Sequence, residues 1–324
     1  MARSSSLPLP SAALIPAFAL ALALLVFGCV HSPASAPAQS GSSPNSSLIL
    51  VTSFTPVQQF VSAVAGNDAQ ITLLIPPGAE PHDFEPTPSD AKALSNARAF
   101  FYISDDMEPW AKGLAQSANS SITLAPLSSA VSLHSNPVAN LSNFEGNGLS
   151  SDPHIWLSPR LAQQEVAYIR DTLTRADPAH APDYQKNAAA YIARLQALDS
   201  QYGAGLSSCN SRTLITSHAA FGYLADDYNL TQVPIAGISP DAEPSPARLI
   251  SVIQAARAAN ATAVFTEPGV SPKLAQAVAS ELDIPTLPFN PVEIISPADQ
   301  AAGKDYVSLM QDNLAALRQG LGCE

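Results

Sequence analysis

The chain is poor in charge, and poorest in positive charge. Asp, Glu, Lys and Arg make up 13% of its 324 residues, and 15 Lys and Arg face 27 Asp and Glu for a formal net charge of −12. No Lys/Arg cluster stands in it to neutralise phosphates, which excludes a nucleic-acid partner. Such a chain attracts cations weakly and at long range. No H-E-x-x-H pattern occurs, which excludes the helix-borne zinc-protease site. The longest apolar run, residues 17–27, is short for a bilayer span of about 20 residues. Cysteine is scarce, with three residues. What is present is hydrophobic material: 46% of a chain long enough for two domains and a sizeable core.

The apolar run lies in MARSSSLPLPSAALIPAFALALALLVFGCV, behind one basic residue, Arg3. This reads as a secretory signal peptide over residues 1–28. Val26, Phe27 and Gly28 precede Cys29 as in a lipobox, with Phe27 bulkier than that motif favours. Cys29 is therefore the expected lipidated N-terminus; an ordinary cleaved signal or an uncleaved anchor are the alternatives. Residues 29–46 are rich in Ser, Pro and Ala and read as a flexible tether holding His31. The chain is thus expected to be exported, lying on the outer face of the cytoplasmic membrane or in the periplasm. In an exported chain the two remaining cysteines, Cys209 and Cys323, read as one disulfide tying the C-terminus to the start of the second domain, with two free thiols as the alternative.

The body alternates strand-like and helical runs. SLILVTS, TPVQQFVSAVAG and AQITLLIP form a βαβ unit, which implies parallel pairing. Thr87-Pro88, Ser158-Pro159, Ser245-Pro246 and Ser271-Pro272 each precede an amphipathic run, and proline there presets the helical dihedral at no cost in hydrogen bonds. RAFFYIS reads as a strand, as do SRTLITS, TQVPIAG, ATAVFTE and IPTLPFN, with helices expected at 218–229, 246–259, 272–282 and 304–321. A long helical pattern covers 182–206. The expected architecture is an α/β lobe over 47–181, a linking helix, and a second α/β lobe over 207–324.

Six histidines are present. His82, in PPGAEPHDFEPTPSD, follows the strand-like ITLLI, and His218 follows RTLITS. Ligand groups of open parallel sheets gather outside the carboxyl ends of the strands. His154, in DPHIWLSP, sits in a loop able to reach the same cleft. Singly, each reads as an ordinary solvated histidine; together, three imidazoles between two lobes make a metal site, typically zinc. Their long spacing is not that of a zinc finger. For a fourth ligand Glu293, in FNPVE, is expected, with Asn290 or water as alternatives, because a carboxylate suits a divalent cation better than an amide. Glu267, in FTEPG, stands either behind the ligands or as a helix-start acid beside Pro268. His134 and His180 read as surface-loop residues.

Several ordered motifs here, PHDFEPTPSD, DPHIWLSP, SHAAFGYLA, FTEPGVSPK and DYVSLMQDNLAAL, resemble the metal-binding substrate-binding proteins of ABC importers, the zinc and manganese uptake group. The resemblance covers roughly residues 47–322. It implies two Rossmann-like lobes joined by one rigid helix, with the metal in the cleft between them. It implies ligands His82 and His154 from the first lobe and His218 from the second, where manganese-type members tend to carry glutamate. Asn290 stands where the family usually has aspartate. SLHSNPVANLSNFEGNGLSS holds only His134, where many zinc-uptake members carry a His-rich acidic loop. The implied cargo is Zn²⁺, with Mn²⁺ possible; the implied partners are an ABC permease and, through a lipid anchor, the membrane. Two other classes are alternatives. A zinc metallohydrolase would take its base from Glu80, Asp83, Glu267 or Glu293, and a surface adhesin would use the metal structurally.

Overall fold

The computed structural model describes residues 48–135 and 150–324. The expected signal peptide, Cys29, the expected tether and His31 lie outside the described residues. In chain order the first lobe runs β1 (Leu48–Thr52), α1 (Thr55–Ala65), β2 (Ala69–Leu73), α2 (Pro88–Ser95), β3 (Ala99–Tyr102), α3 (Ala111–Ala118), β4 (Thr123–Pro126) and α4 (Pro159–Ala176). The helix α5 (Ala181–Gly205) follows. The second lobe runs β5 (Thr213–Thr216), α6 (Gly222–Asp227), β6 (Thr231–Pro234), α7 (Pro246–Ala258), β7 (Val264–Thr266), α8 (Lys273–Leu282), β8 (Thr286–Pro288), α9 (Pro297–Ala301) and α10 (Tyr306–Leu321). Both sheets are four-stranded and all parallel, in the orders β2-β1-β3-β4 and β6-β5-β7-β8. The same order in both lobes puts the strand carboxyl ends of each beside its topological switch point.

Local chemistry starts the helices. The Asp90 carboxylate accepts the Thr87 N–H (2.7 Å) ahead of α2, Ser158 Oγ accepts the Leu161 N–H (3.0 Å) in α4, and Ser245 Oγ accepts that of Arg248 (3.2 Å) in α7. Ser271 does no such work: α8 begins at Lys273 with Pro272 in the cap position. The helix expected from residue 218 begins only at Gly222. The Ala219 N–H bonds the Gly237 carbonyl beyond β6, and the His218 carbonyl accepts Thr216 Oγ1, so this backbone is used by the sheet edge instead. The sequence reading did not foresee α3, β4 or α9. Of these β4 is four residues ending in proline, an edge strand with little pattern to read.

Helix α5 buries one stripe, Tyr184, Ala188, Tyr191, Leu195, Leu198 and Tyr202, at alternating spacings of about four and three. Asn187 Nδ2 donates to the Val64 carbonyl of α1 (3.1 Å), and Tyr202 Oη donates to the Met310 carbonyl of α10 (2.6 Å). One helix is thereby tied to both lobes. The main core is continuous across them through Phe54, Trp156, Phe221 and Phe289. Cys209 and Cys323 are disulfide-bonded, and Gly322 ends α10 in the left-handed conformation at φ 63°.

Candidate metal centre

His82 sits in a 3₁₀ turn, Pro81–Asp83, beyond β2, and its backbone N–H donates to the Glu80 carboxylate (3.1 Å). His154 and His218 are each fixed by one carboxylate in the same manner. Asp152 Oδ1 accepts the His154 backbone N–H (3.0 Å) and lies 2.8 Å from its ring Nδ1. Glu267, the residue after β7, accepts the His218 N–H (3.0 Å) and holds its Nδ1 at 2.5 Å. A carboxylate on Nδ1 keeps the proton there and leaves the Nε2 lone pair aimed into the cleft.

Glu293 arrives on a strained loop. Asn290 Oδ1 accepts the Val292 N–H (2.7 Å), and Trp156 Nε1 donates across the lobes to the Pro291 carbonyl (2.9 Å). Val292 takes φ 60°, a left-handed conformation costly for a β-branched residue. These contacts hold the turn that places the Glu293 carboxylate among the imidazoles.

The ligand atoms of His82, His154, His218 and Glu293 lie within 4.8 Å of one another. His154 Nε2 is 3.3 Å from His82 Nε2 and 3.4 Å from His218 Nε2. Glu293 Oε1 is 3.2, 3.7 and 4.0 Å from the Nε2 atoms of His154, His218 and His82. Ligands about 2.0–2.1 Å from a tetrahedral zinc stand roughly 3.3 Å apart, so most of these separations fit such an ion. Glu293 Oε1 is buried and makes no hydrogen bond among the described residues. A buried carboxylate oxygen without a partner is costly, and a cation at the centre of this group would satisfy it.

The electrostatics oppose one another. Burial lowers His82 to about 3, so its imidazole is neutral. Burial also works downward on His154, but Asp152 and Glu293 outweigh it and leave His154 raised. His218 is raised well above its ordinary value, because Glu267 and Glu293 outweigh its burial. Burial works upward on Glu293, and the His154 and His218 rings override it, holding the carboxyl well below the usual range. Glu80 is pushed up to about 8 by burial and by the Glu293 charge. A cavity of about 400 Å³, lined by His82, Asp83, Asp106 and Asp241, abuts the group and gives it an acidic approach.

Of the expected residues, the structure therefore gathers His82, His154, His218 and Glu293. Asn290 is absorbed elsewhere: its backbone N–H and carbonyl bond the Asn313 side chain, and its own amide caps the Val292 turn. Glu267 orients His218. His134 stacks on Tyr223 and lies 3.7 Å from Asp226, while His180 pairs with Asp177 at 2.6 Å; neither joins the group. The sequence reading missed Asp152. Its signal was the D-x-H spacing, in which a carboxylate two residues before a histidine reaches both its backbone and its ring.

Three imidazole nitrogens and one carboxylate oxygen are a donor set suited to zinc. Residues 50–320 match the family described as the periplasmic component A of the zinc-uptake complex, ZnuA. The chain is 36% identical over 306 residues to the high-affinity zinc uptake system protein ZnuA of Bacillus subtilis, covering 92% of this chain and 94% of that protein. It is 38% identical over 277 residues to the zinc-binding lipoprotein AdcA of Streptococcus pneumoniae, covering 84% of this chain. It spans about half (55%) of the length of that AdcA. The crystal structure of Zn(II)-bound AdcA from Streptococcus pneumoniae is similar with a TM-score of 0.72 at 37% identity, over 85% of this chain and 57% of that one.

Proposed function

The chain belongs to the ZnuA family of periplasmic zinc-uptake components, and from that premise we propose that it captures Zn²⁺ outside the cytoplasm and delivers it to the permease of an ABC importer. The ligands are His82, His154, His218 and Glu293. The observation that carries this reading is the buried Glu293 Oε1 gathered with three imidazole Nε2 atoms. Zinc is favoured over manganese because three of the four donors are nitrogens, whereas carboxylate, carbonyl and water donors suit manganese. Carriage is favoured over hydrolysis because Glu293 takes the fourth position, which a catalytic zinc leaves to water. Among the described residues no helix is long and apolar enough to cross a membrane. We place membrane attachment at a lipid on Cys29, in keeping with the name lipoprotein given to the pneumococcal relative. The two lobes, 47–181 and 207–324, hold the ion between them and are joined by the linking helix 182–206.

The test is zinc content and zinc titration of residues 46–324, beside His82→Ala, His154→Ala, His218→Ala and Glu293→Ala. The expected result is a single tightly held zinc, weakened by every substitution. A protein that holds no zinc, or four variants that bind as the parent does, would overturn the reading.

A further inference from the structure

Helix α6 begins four residues after His218, yet its side chains grip the other lobe on both sides of His154. At its start is Tyr223. Asp152 and His134 face each other as an antiparallel pair beside the Ser135–Ser151 bridge, and the Asp152 N–H donates to the His134 carbonyl (3.0 Å). The reciprocal rung is not made directly. Instead the His134 N–H donates to Tyr223 Oη (2.9 Å), and that hydroxyl donates to the Asp152 carbonyl (2.7 Å). A hydroxyl from the second lobe is thus built into a backbone ladder of the first. The Tyr223 ring stacks on His134 with centroids 4.1 Å apart. Gly222 brings the helix so close that a Cβ there would stand 2.9 Å from Asp152 Oδ2.

The far end of α6 is held as well. Asp227 accepts a short hydrogen bond from Ser158 Oγ, and Arg160 Nη1 approaches the same carboxylate at 3.5 Å. Arg160 also reaches Asp199 of α5 (3.0 Å) and lies over the Tyr228 ring. The segment from Asp152 to Arg160, with His154 inside it, is therefore bracketed by one short helix of the opposite lobe. Since α5 is tied to both lobes, separating them over a bound ion requires these contacts to break.

We propose that α6 is an inter-lobe clasp, with Tyr223 a positioning residue whose hydroxyl fixes the Asp152 backbone and thereby the His154 ring, and that breaking this clasp sets the rate of zinc release. The inference rests on the zinc-capture reading. Tyr223→Phe removes the hydroxyl and keeps the ring stack. The experiment loads the wild-type and variant proteins with Zn²⁺ alone and follows its loss to excess chelator by stopped flow, with association measured separately. The expected result is zinc release faster by roughly ten-fold or more with association changed by less than about three-fold, since a residue supporting a metal ligand typically contributes 10–100-fold. A release rate within about two-fold of wild type, with only the thermal stability of the metal-free protein lowered, would overturn the clasp and leave zinc capture standing. A wild-type protein that takes up no zinc would overturn both. If Tyr223→Phe does not fold, Asp227→Ala tests the far end of α6 by the same criteria.

Discussion

Glu165 lies on the buried face of α4, and both its carboxylate oxygens lack a partner among the described residues. Burial raises its pKa from 4.5 to about 8. The folded protein therefore keeps a proton that the unfolded chain gives up. The stability this group contributes is complete below about pH 4.5 and is lost as pH rises to about 8. A gap of about 3.5 units at ~1.36 kcal/mol each makes the loss on the order of 4–5 kcal/mol, a large share of a typical domain stability. Glu165→Gln replaces the acid by an amide of similar shape that does not titrate. Its unsatisfied amide costs about 1–3 kcal/mol at every pH, and this part cancels in the pH trend. The assay is urea unfolding of metal-free wild type and variant from about pH 5 to 8.5. Comparing the two at each pH removes the contribution of groups they share, such as Glu108, which burial pushes up to about 7. The variant should gain on wild type by roughly 4 kcal/mol across that range. Parallel stability curves would mean that Glu165 stays solvated or finds a cationic partner, and the reasoning from its burial would fail.

Removing charge behind the ligands should weaken zinc without abolishing it: Asp152→Asn and Glu267→Gln are each expected to lower affinity by about 10–100-fold in a chelator competition. Equal affinity in both variants would show that the Nδ1 partners are dispensable. Protons should compete with zinc chiefly through His154 and His218, which are raised, and not through His82, which burial holds near 3. Apparent affinity is thus expected to fall with falling pH, beginning above the ordinary histidine range, and Glu267→Gln should shift that fall to lower pH, because His218 loses the charge that raises it. A pH profile unmoved by the substitution would contradict this. Cys209 and Cys323 close a loop of 114 residues, so replacing both by serine should cost up to about 4–5 kcal/mol in urea unfolding. A loss below about 1 kcal/mol would indicate a compact reduced chain.

What is settled within a few residues, or by a repeating pattern, was legible before folding. Thr87, Ser158 and Ser245 start helices through groups at most three positions away. The stripe from Tyr184 to Tyr202 marks α5, and alternating elements lead to parallel sheets with histidines beyond their strands. Folding alone brings Glu293, and not Asn290, beside the three imidazoles. The choice turns on one left-handed valine and an inter-lobe bond from Trp156, and neither a φ of 60° at Val292 nor a tryptophan donor from the opposite lobe leaves a local signal. Asp152 was within reach of its spacing, yet its carboxylate matters only once His154 faces a partner 64 residues away. The hydroxyl of Tyr223, set in a ladder 71 residues distant, had no sequence signal at all. Helix starts and stripes are chemistry between neighbours in the chain. A metal centre is chemistry between elements that become neighbours only when two lobes pack on one helix.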